Sequence, residues 1–192
     1  MKFVEVKGLM PDGQTYRTVQ VDSEGRLKDL PTVMTSDKKA LVAAGDYAAE
    51  DVMSESASVG LPWMFKNIFE DSGGSCFIVK ATFTCETTGI SFRPTLYLYN
   101  ARPTSVLNDN VANTAVSVGD KGIYIGKIDF PSTEDLGGMS DSLATPGSCQ
   151  SLPFEISLQN TSDLFGILVT RDIIANEAAG MIVEIKLWVK RS

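Results

Sequence analysis

From about Ala40 onward, apolar side chains recur at every second position in short runs, and clusters of Gly, Pro, Asn, Asp and Ser separate the runs. That spacing is the period of a half-buried β-strand, whose successive side chains leave opposite faces. In SCFIVKATFTCE, Phe77, Val79, Ala81, Phe83 and Cys85 take one face and Lys80, Thr82, Thr84 and Glu86 the other, with Ile78 the exception. In SFRPTLYLYN, Phe92, Leu96 and Leu98 oppose Arg93, Thr95, Tyr97 and Tyr99, and Pro94 predicts an edge strand or a bulge. GIYIGKIDF is apolar on both faces, as a central strand would be, and DLFGILVTR is a second doubly apolar run. LPFEISLQN turns Phe154, Ile156 and Leu158 inward. GMIVEIKLWVKRS turns Met181, Val183, Ile185, Leu187 and Val189 one way and Glu184, Lys186, Trp188 and Lys190 the other. Roughly seven or eight strands, with no long 3.6-period segment between them, predict an all-β sandwich or barrel.

The segments before Ala40 differ. KFVEVKG and TYRTVQV alternate on either side of MPDGQ, where Pro11 presets φ and Gly13 permits a positive one, and a second turn follows at Gly25. Residues 1–30 therefore form a small N-terminal β-hairpin arm, too small to bury much alone. Residues 31–40 are polar, with no clear period, and form a linker; the sandwich spans 41–192. Within LVAAGDYAAEDVM, Tyr47 to Val52 is too short for an independent helix and leads into the first strand, with Gly45 and Asp46 turning the chain. Trp63, Met64, Phe65, Ile68 and Phe69 are core candidates. Two long loops, Ala101–Gly122 and Ser132–Ser151, exceed the usual connection length; the first has room for one helical turn near Asp109 to Ala115.

Composition narrows the chemistry. A net charge of −7 opposes nucleic acid as a direct partner, because a phosphate-binding surface needs surplus Lys and Arg. DKK at Asp37–Lys39 and KRS at the end are the only basic runs and belong to solvated surface. No apolar run reaches a membrane span, and Glu5 and Lys7 interrupt any signal-peptide core, so a cytoplasmic site of synthesis is expected. The absence of histidine removes imidazole bases, Ser-His and Cys-His pairs and His-ligated metals. Without a base, Cys76, Cys85 and Cys149 are expected to be inert reduced thiols. GGMSDS and DSGGS lack the Lys-Ser/Thr ending of a phosphate loop and are turns. Asp109, Asp120, Glu134, Asp135 and Asp141 are expected to be solvated loop carboxylates, calcium being the alternative. No catalytic, cofactor or metal residue is assigned.

The candidate interface is aromatic and cationic: Arg93, Tyr97 and Tyr99 on one strand, Lys186 and Trp188 on another. The alternative is a sheet face covered by a neighbouring loop.

VAAGDYAAEDVM, LPWMFKNIFEDSGGSCFIVKATFTC and FRPTLYLYNARPT together resemble a family of tailed-bacteriophage virion proteins. The resemblance is carried by Gly45, Tyr47, Ala49, Asp51 and Val52, by Gly73–Ser75, and by Leu96, Leu98, Tyr99, Ala101 and Pro103. It spans roughly 40–191, departs at Glu50, where the family often has Gly, and leaves the hairpin arm as an addition. It implies a jelly-roll-like antiparallel β-sandwich and a non-enzymatic capsid decoration or auxiliary (cement) protein of the virion. The implied partners are the major capsid protein or other virion proteins and further copies of the chain, with a trimer by analogy. The alternative is a tail- or fibre-associated receptor- or carbohydrate-binding module.

Overall fold

The computed structural model describes residues 3–5, 18–20, 31–42, 46–69, 73–159, 161–175 and 180–191. The chain divides into two compact units, 1–31 and 32–192. In the first, β1 (Phe3–Glu5) pairs antiparallel with β2 (Thr18–Gln20), with Val4 opposite Val19. The turns expected at Pro11, Gly13 and Gly25 lie outside the described residues.

Among the described residues, the second unit holds eleven strands in two antiparallel sheets. They are β3 (Thr32–Thr35), β4 (Lys39–Ala40), β5 (Trp63–Phe65), β6 (Gly73–Cys85), β7 (Pro94–Tyr99), β8 (Tyr124–Asp129), β9 (Glu134–Asp135), β10 (Ser140–Ala144), β11 (Phe154–Gln159), β12 (Leu164–Thr170) and β13 (Ile182–Arg191). One sheet runs β3-β13-β6-β10-β9, with β4 also on β13 and β11 also on β6; the other runs β5-β12-β7-β8. The pairs β3/β4 and β10/β11 each occupy one position, leaving β9 as an edge appendage. The order is then first, eighth, third, sixth in one sheet and second, seventh, fourth, fifth in the other. Most connections cross from sheet to sheet. This is the paired Greek-key order of a jelly roll, and the all-β sandwich expected from the alternation is the fold observed. No helix occurs among the described residues.

The core lies between the sheets. Leu96, Leu98, Leu164 and Leu168 from one sheet meet Ile78, Phe83, Ile185 and Leu187 from the other, all fully or almost fully buried. Phe83 stands edge-on to Phe92 with ring centroids 5.5 Å apart, and Phe130 lies 6.3 Å away. Trp63, Phe65, Ile68 and Phe69 join this core, whereas Met64 is half-buried. Cys76, Cys85 and Cys149 are buried free thiols.

Several elements depart from the sequence pattern. Residues 31–40, a linker by sequence, contribute β3 and β4, both paired with β13. Register there is imposed by β13 rather than by alternation: Lys39 sits opposite Val183 and therefore faces inward. In β6 the inward set is Cys76 and Ile78, then Ala81, Phe83 and Cys85. The partner of Trp188 is Lys80 and that of Val189 is Ile78, so Val79 is an extra residue. A bulge of this kind resets the alternation, which is why Phe77 and Val79 are only half-buried and Ile78 stood out as an exception.

The edge and centre of the smaller sheet are also exchanged. β7 is interior and β8 is the edge strand. Pro94 fits because it is the first residue of its strand, a position where a missing donor is tolerated. β8 is apolar because Phe154 reaches across onto it: a Cβ on Gly126 would lie 2.4 Å from the Phe154 ring.

Ser132–Ser151, a loop by composition, contains β9 and β10. The inward residues of β10 are small, Ser140, Ser142 and Ala144, and the two hydroxyls are satisfied locally. Ser140 Oγ donates to Thr87 O at 2.9 Å and Ser142 Oγ to Pro131 O at 2.7 Å. Ala101–Gly122 is a loop without a helical turn at 109–115. Tyr47 to Val52 is a non-helical lead-in whose ladder contacts among the described residues are isolated bridges, Tyr47 to Ile174, Asp51 to Ala112 and Val52 to Val169.

Candidate functional site

The outer face of the smaller sheet is not open. Tyr99, Ile167 and Val169 point away from the main core and, with Val52, form a second buried cluster. Leu107 and Ala115 from the 101–122 loop pack over it, with Ile123, the residue just before β8. Two carboxylates hold this cover in place. Asp120 accepts from Thr104 N at 2.8 Å, Thr104 Oγ1 at 2.7 Å, Ser105 N at 2.7 Å and Ser105 Oγ. Burial by itself raises the Asp120 pKa, but these four donors outweigh it and hold the carboxyl well below the usual carboxylate range. Asp109 accepts from Tyr47 Oη and Ser54 N at 2.7 Å each and from Val42 N at 3.1 Å. It thereby ties the loop to the 41–54 lead-in. Gly60 closes the seam: a Cβ there would fall 1.8 Å from Leu107 O.

Asp109 and Asp120, solvated or calcium-binding by sequence, are therefore buried structural acceptors already supplied with protein donors. Glu134 and Asp135 are exposed, Asp141 is half-buried, and Asp135 Oδ1 accepts from Gly137 N at 2.8 Å. Among the described residues no three or more His, Cys, Asp or Glu side chains group as a metal site.

The five candidate interface residues do not share a surface. Tyr99 is fully buried beneath the loop, the covered-face alternative, and its hydroxyl has no hydrogen-bond partner in good geometry among the described residues. Burial, with Asp120 nearby, pushes its pKa well up. Tyr97 is half-buried, with the Arg171 guanidinium 6.0 Å from its ring centre. Arg93 is exposed and clamps Asp172 through two side-chain contacts, 3.0 Å from Nε and 2.6 Å from Nη2. That pairing holds the Asp172 carboxyl below its ordinary range. Lys186 and Trp188 lie on the outer face of the larger sheet, across the sandwich from Tyr97. Lys186 pairs with Glu184 at 2.9 Å, and Lys80 Nζ sits 4.2 Å from the Trp188 ring centre, occupying that face.

The Tyr99 hydroxyl, whose contact with Ser105 falls short of good hydrogen-bond geometry, makes a test of the cover. A buried hydroxyl without a partner is a cost rather than a gain. Tyr99→Phe is therefore expected to be neutral or to stabilise by up to about 1 kcal/mol in urea unfolding. A clear destabilisation means that Ser105 does serve the hydroxyl as a hydrogen-bond partner.

A different feature emerges where the loop stops short. At the β5 edge, Met64 and Phe165 stand opposite one another, half-buried. They line a cleft of about 280 Å³ together with Leu61, Pro62, Asp37, Lys38, Lys39, Glu55 and Arg102. Lys39, placed in a solvated run by sequence, is only 6% exposed. Its ammonium donates to Glu55 and to Leu61 O and lies 5.1 Å from the Trp63 ring centre. Burial lowers the Lys39 pKa, partly countered by Glu55. The inward turn of a charged residue on an edge strand blunts edge-to-edge association. Nothing in DKK signals this, because burial of Lys39 depends on Glu55 and Leu61, distant in sequence.

No family model and no curated protein matches this chain. A solved structure described as that of a marine algae virus of the order Picornavirales aligns at a TM-score of 0.26 and 11% identity, covering 100% of this chain and 87% of that one. An overlap that loose carries no argument. The jelly-roll assignment rests on strand order alone.

Proposed function

We propose that the protein is a non-enzymatic structural component of a bacteriophage virion, a capsid decoration (cement) protein that binds the head shell as a homo-oligomer. The supporting observation is a jelly roll whose interior is filled: Phe83, Leu98 and Ile185 are fully buried where a ligand-binding barrel would hold a cavity. With the interior occupied, recognition falls to the outer surface. Jelly rolls serve in both capsids and lectins, and a fold does not by itself name a use. The phage reading rests on the sequence resemblance across roughly 40–191. Repeated copies make modest contacts sufficient, since linked binding events act at high effective concentration. A trimer is the expected assembly, by analogy with cement proteins, and the virion is the expected location. Sugar binding has little to support it, because Tyr99 is buried and Lys80 occupies the Trp188 face.

The test is co-sedimentation of purified protein with head shells lacking it. Saturable binding, with regularly placed density on the shell by electron microscopy, is expected. Folded protein that stays in the supernatant at every concentration overturns the reading.

A further inference from the structure

We propose that the cleft beside β5 receives one large apolar side chain of a partner protein, on a segment whose neighbouring residue is Asp or Glu. Its inner wall is apolar: Leu61, Pro62, Met64 and Phe165. At about 280 Å³ it falls below the range of drug-sized sites, about 300–1,000 Å³, and suits a single anchoring side chain. Buried apolar anchors of this kind dominate protein interfaces. Leu61 is 47% exposed at the mouth, so a partner covering it would remove further apolar surface from water.

The charges around the cleft select the flanking residue. Glu55 is paired with Lys39, Asp37 with Lys66 at 3.7 Å, and Lys38 with Glu184 at 3.7 Å. Arg102 is exposed and has neither ion pair nor hydrogen bond among the described residues. Among the described residues it is the one uncompensated charge in the lining, on a chain whose net charge is −7. An acidic segment is repelled by the protein as a whole and attracted here, which directs it to this cleft. A guanidinium also suits a carboxylate by its forked geometry. The cleft exists because the 101–122 cover protects Tyr99, Ile167 and Val169 but leaves Phe165 and Met64 partly bare.

This deepens the reading of the protein as an attachment module and does not depend on which particle it attaches to. The test is an NMR titration of the full chain with the capped peptide Asp-Phe-Asp-Leu and its counterpart Lys-Phe-Lys-Leu. The acidic peptide is expected to shift the Met64 and Phe165 amides and the Arg102 Nε–H saturably. It should bind about two- to five-fold more tightly than the lysine peptide, the size of one exposed ion pair. Arg102→Glu, an exposed change, should reverse that preference while leaving the thermal midpoint unchanged. Absence of shifts at Met64 and Phe165 at millimolar peptide, or equal binding of the two peptides, overturns the proposal. Shell co-sedimentation fails or succeeds separately, so the pocket and the attachment reading are judged apart.

Discussion

Replacing Asp120 by Asn is expected to destabilise the protein by about 3 kcal/mol. The amide keeps the shape of the carboxylate but turns an NH₂ group toward donors. The carboxylate now serves two backbone amides and two hydroxyls, from Thr104 and Ser105. Asn can serve only the pair facing its remaining oxygen. Each buried donor left without an acceptor costs about 1–3 kcal/mol. In a chain of 192 residues this corresponds to a fall in thermal midpoint of roughly 6–12 °C. The effect is linked to pH. Folding depresses the Asp120 pKa below its unfolded value, about 3.9. The stabilisation is therefore complete above that unfolded value and is lost as pH falls through the lower, folded one. Urea titrations from neutral pH downward should show wild type losing an increment of stability in that acidic window and Asp120→Asn losing less. Parallel acid profiles would mean that the carboxylate does not hold the loop.

Phe83→Ala is expected to cost about 3–5 kcal/mol, as for other buried phenylalanines. Phe83 is fully buried at the middle of the sandwich and contacts rings from two other segments, Phe92 and Phe130. Those rings belong to the flanks of β7 and β8, so they cannot close the cavity without moving the smaller sheet. Thr84→Ala, one residue on, serves as the control. Its side chain faces outward, is half-buried, and makes only a 3.3 Å hydrogen bond to Glu184 O. Its loss should lie within about 1 kcal/mol. Equal losses at the two positions would mean that the faces of β6 are misassigned beyond the bulge.

The inward face of β13 was fully legible, because Val183, Ile185, Leu187 and Val189, with Met181 just before the strand, meet a single uninterrupted dry layer. β12 was legible as doubly apolar, because it is an interior strand with the core on one side and the loop on the other. β10 was not: Ser140 and Ser142 point inward, and only the carbonyls of Thr87 and Pro131 make that tolerable. The same applies to Lys39, whose burial needs Glu55 sixteen residues away. Of the five candidate interface residues, Tyr99 faced away from the core as its alternation required, and yet is buried by a loop that alternation does not describe. The Arg102 cleft carried no signal in sequence, since an exposed arginine in a loop is ordinary and its apolar neighbours come from β5 and β12.

Alternation by itself determined that this chain builds sheets and which side chains of β7 and β13 face the core, because a pleated strand sends neighbours to opposite faces whatever its surroundings. Tertiary structure alone decided which strands sit at the edges, where β6 shifts phase, and that a loop pinned by Asp109 and Asp120 covers one outer face but leaves a cleft at its end. Those outcomes depend on hydrogen bonds and contacts between segments far apart in the chain, and no local pattern encodes such pairings.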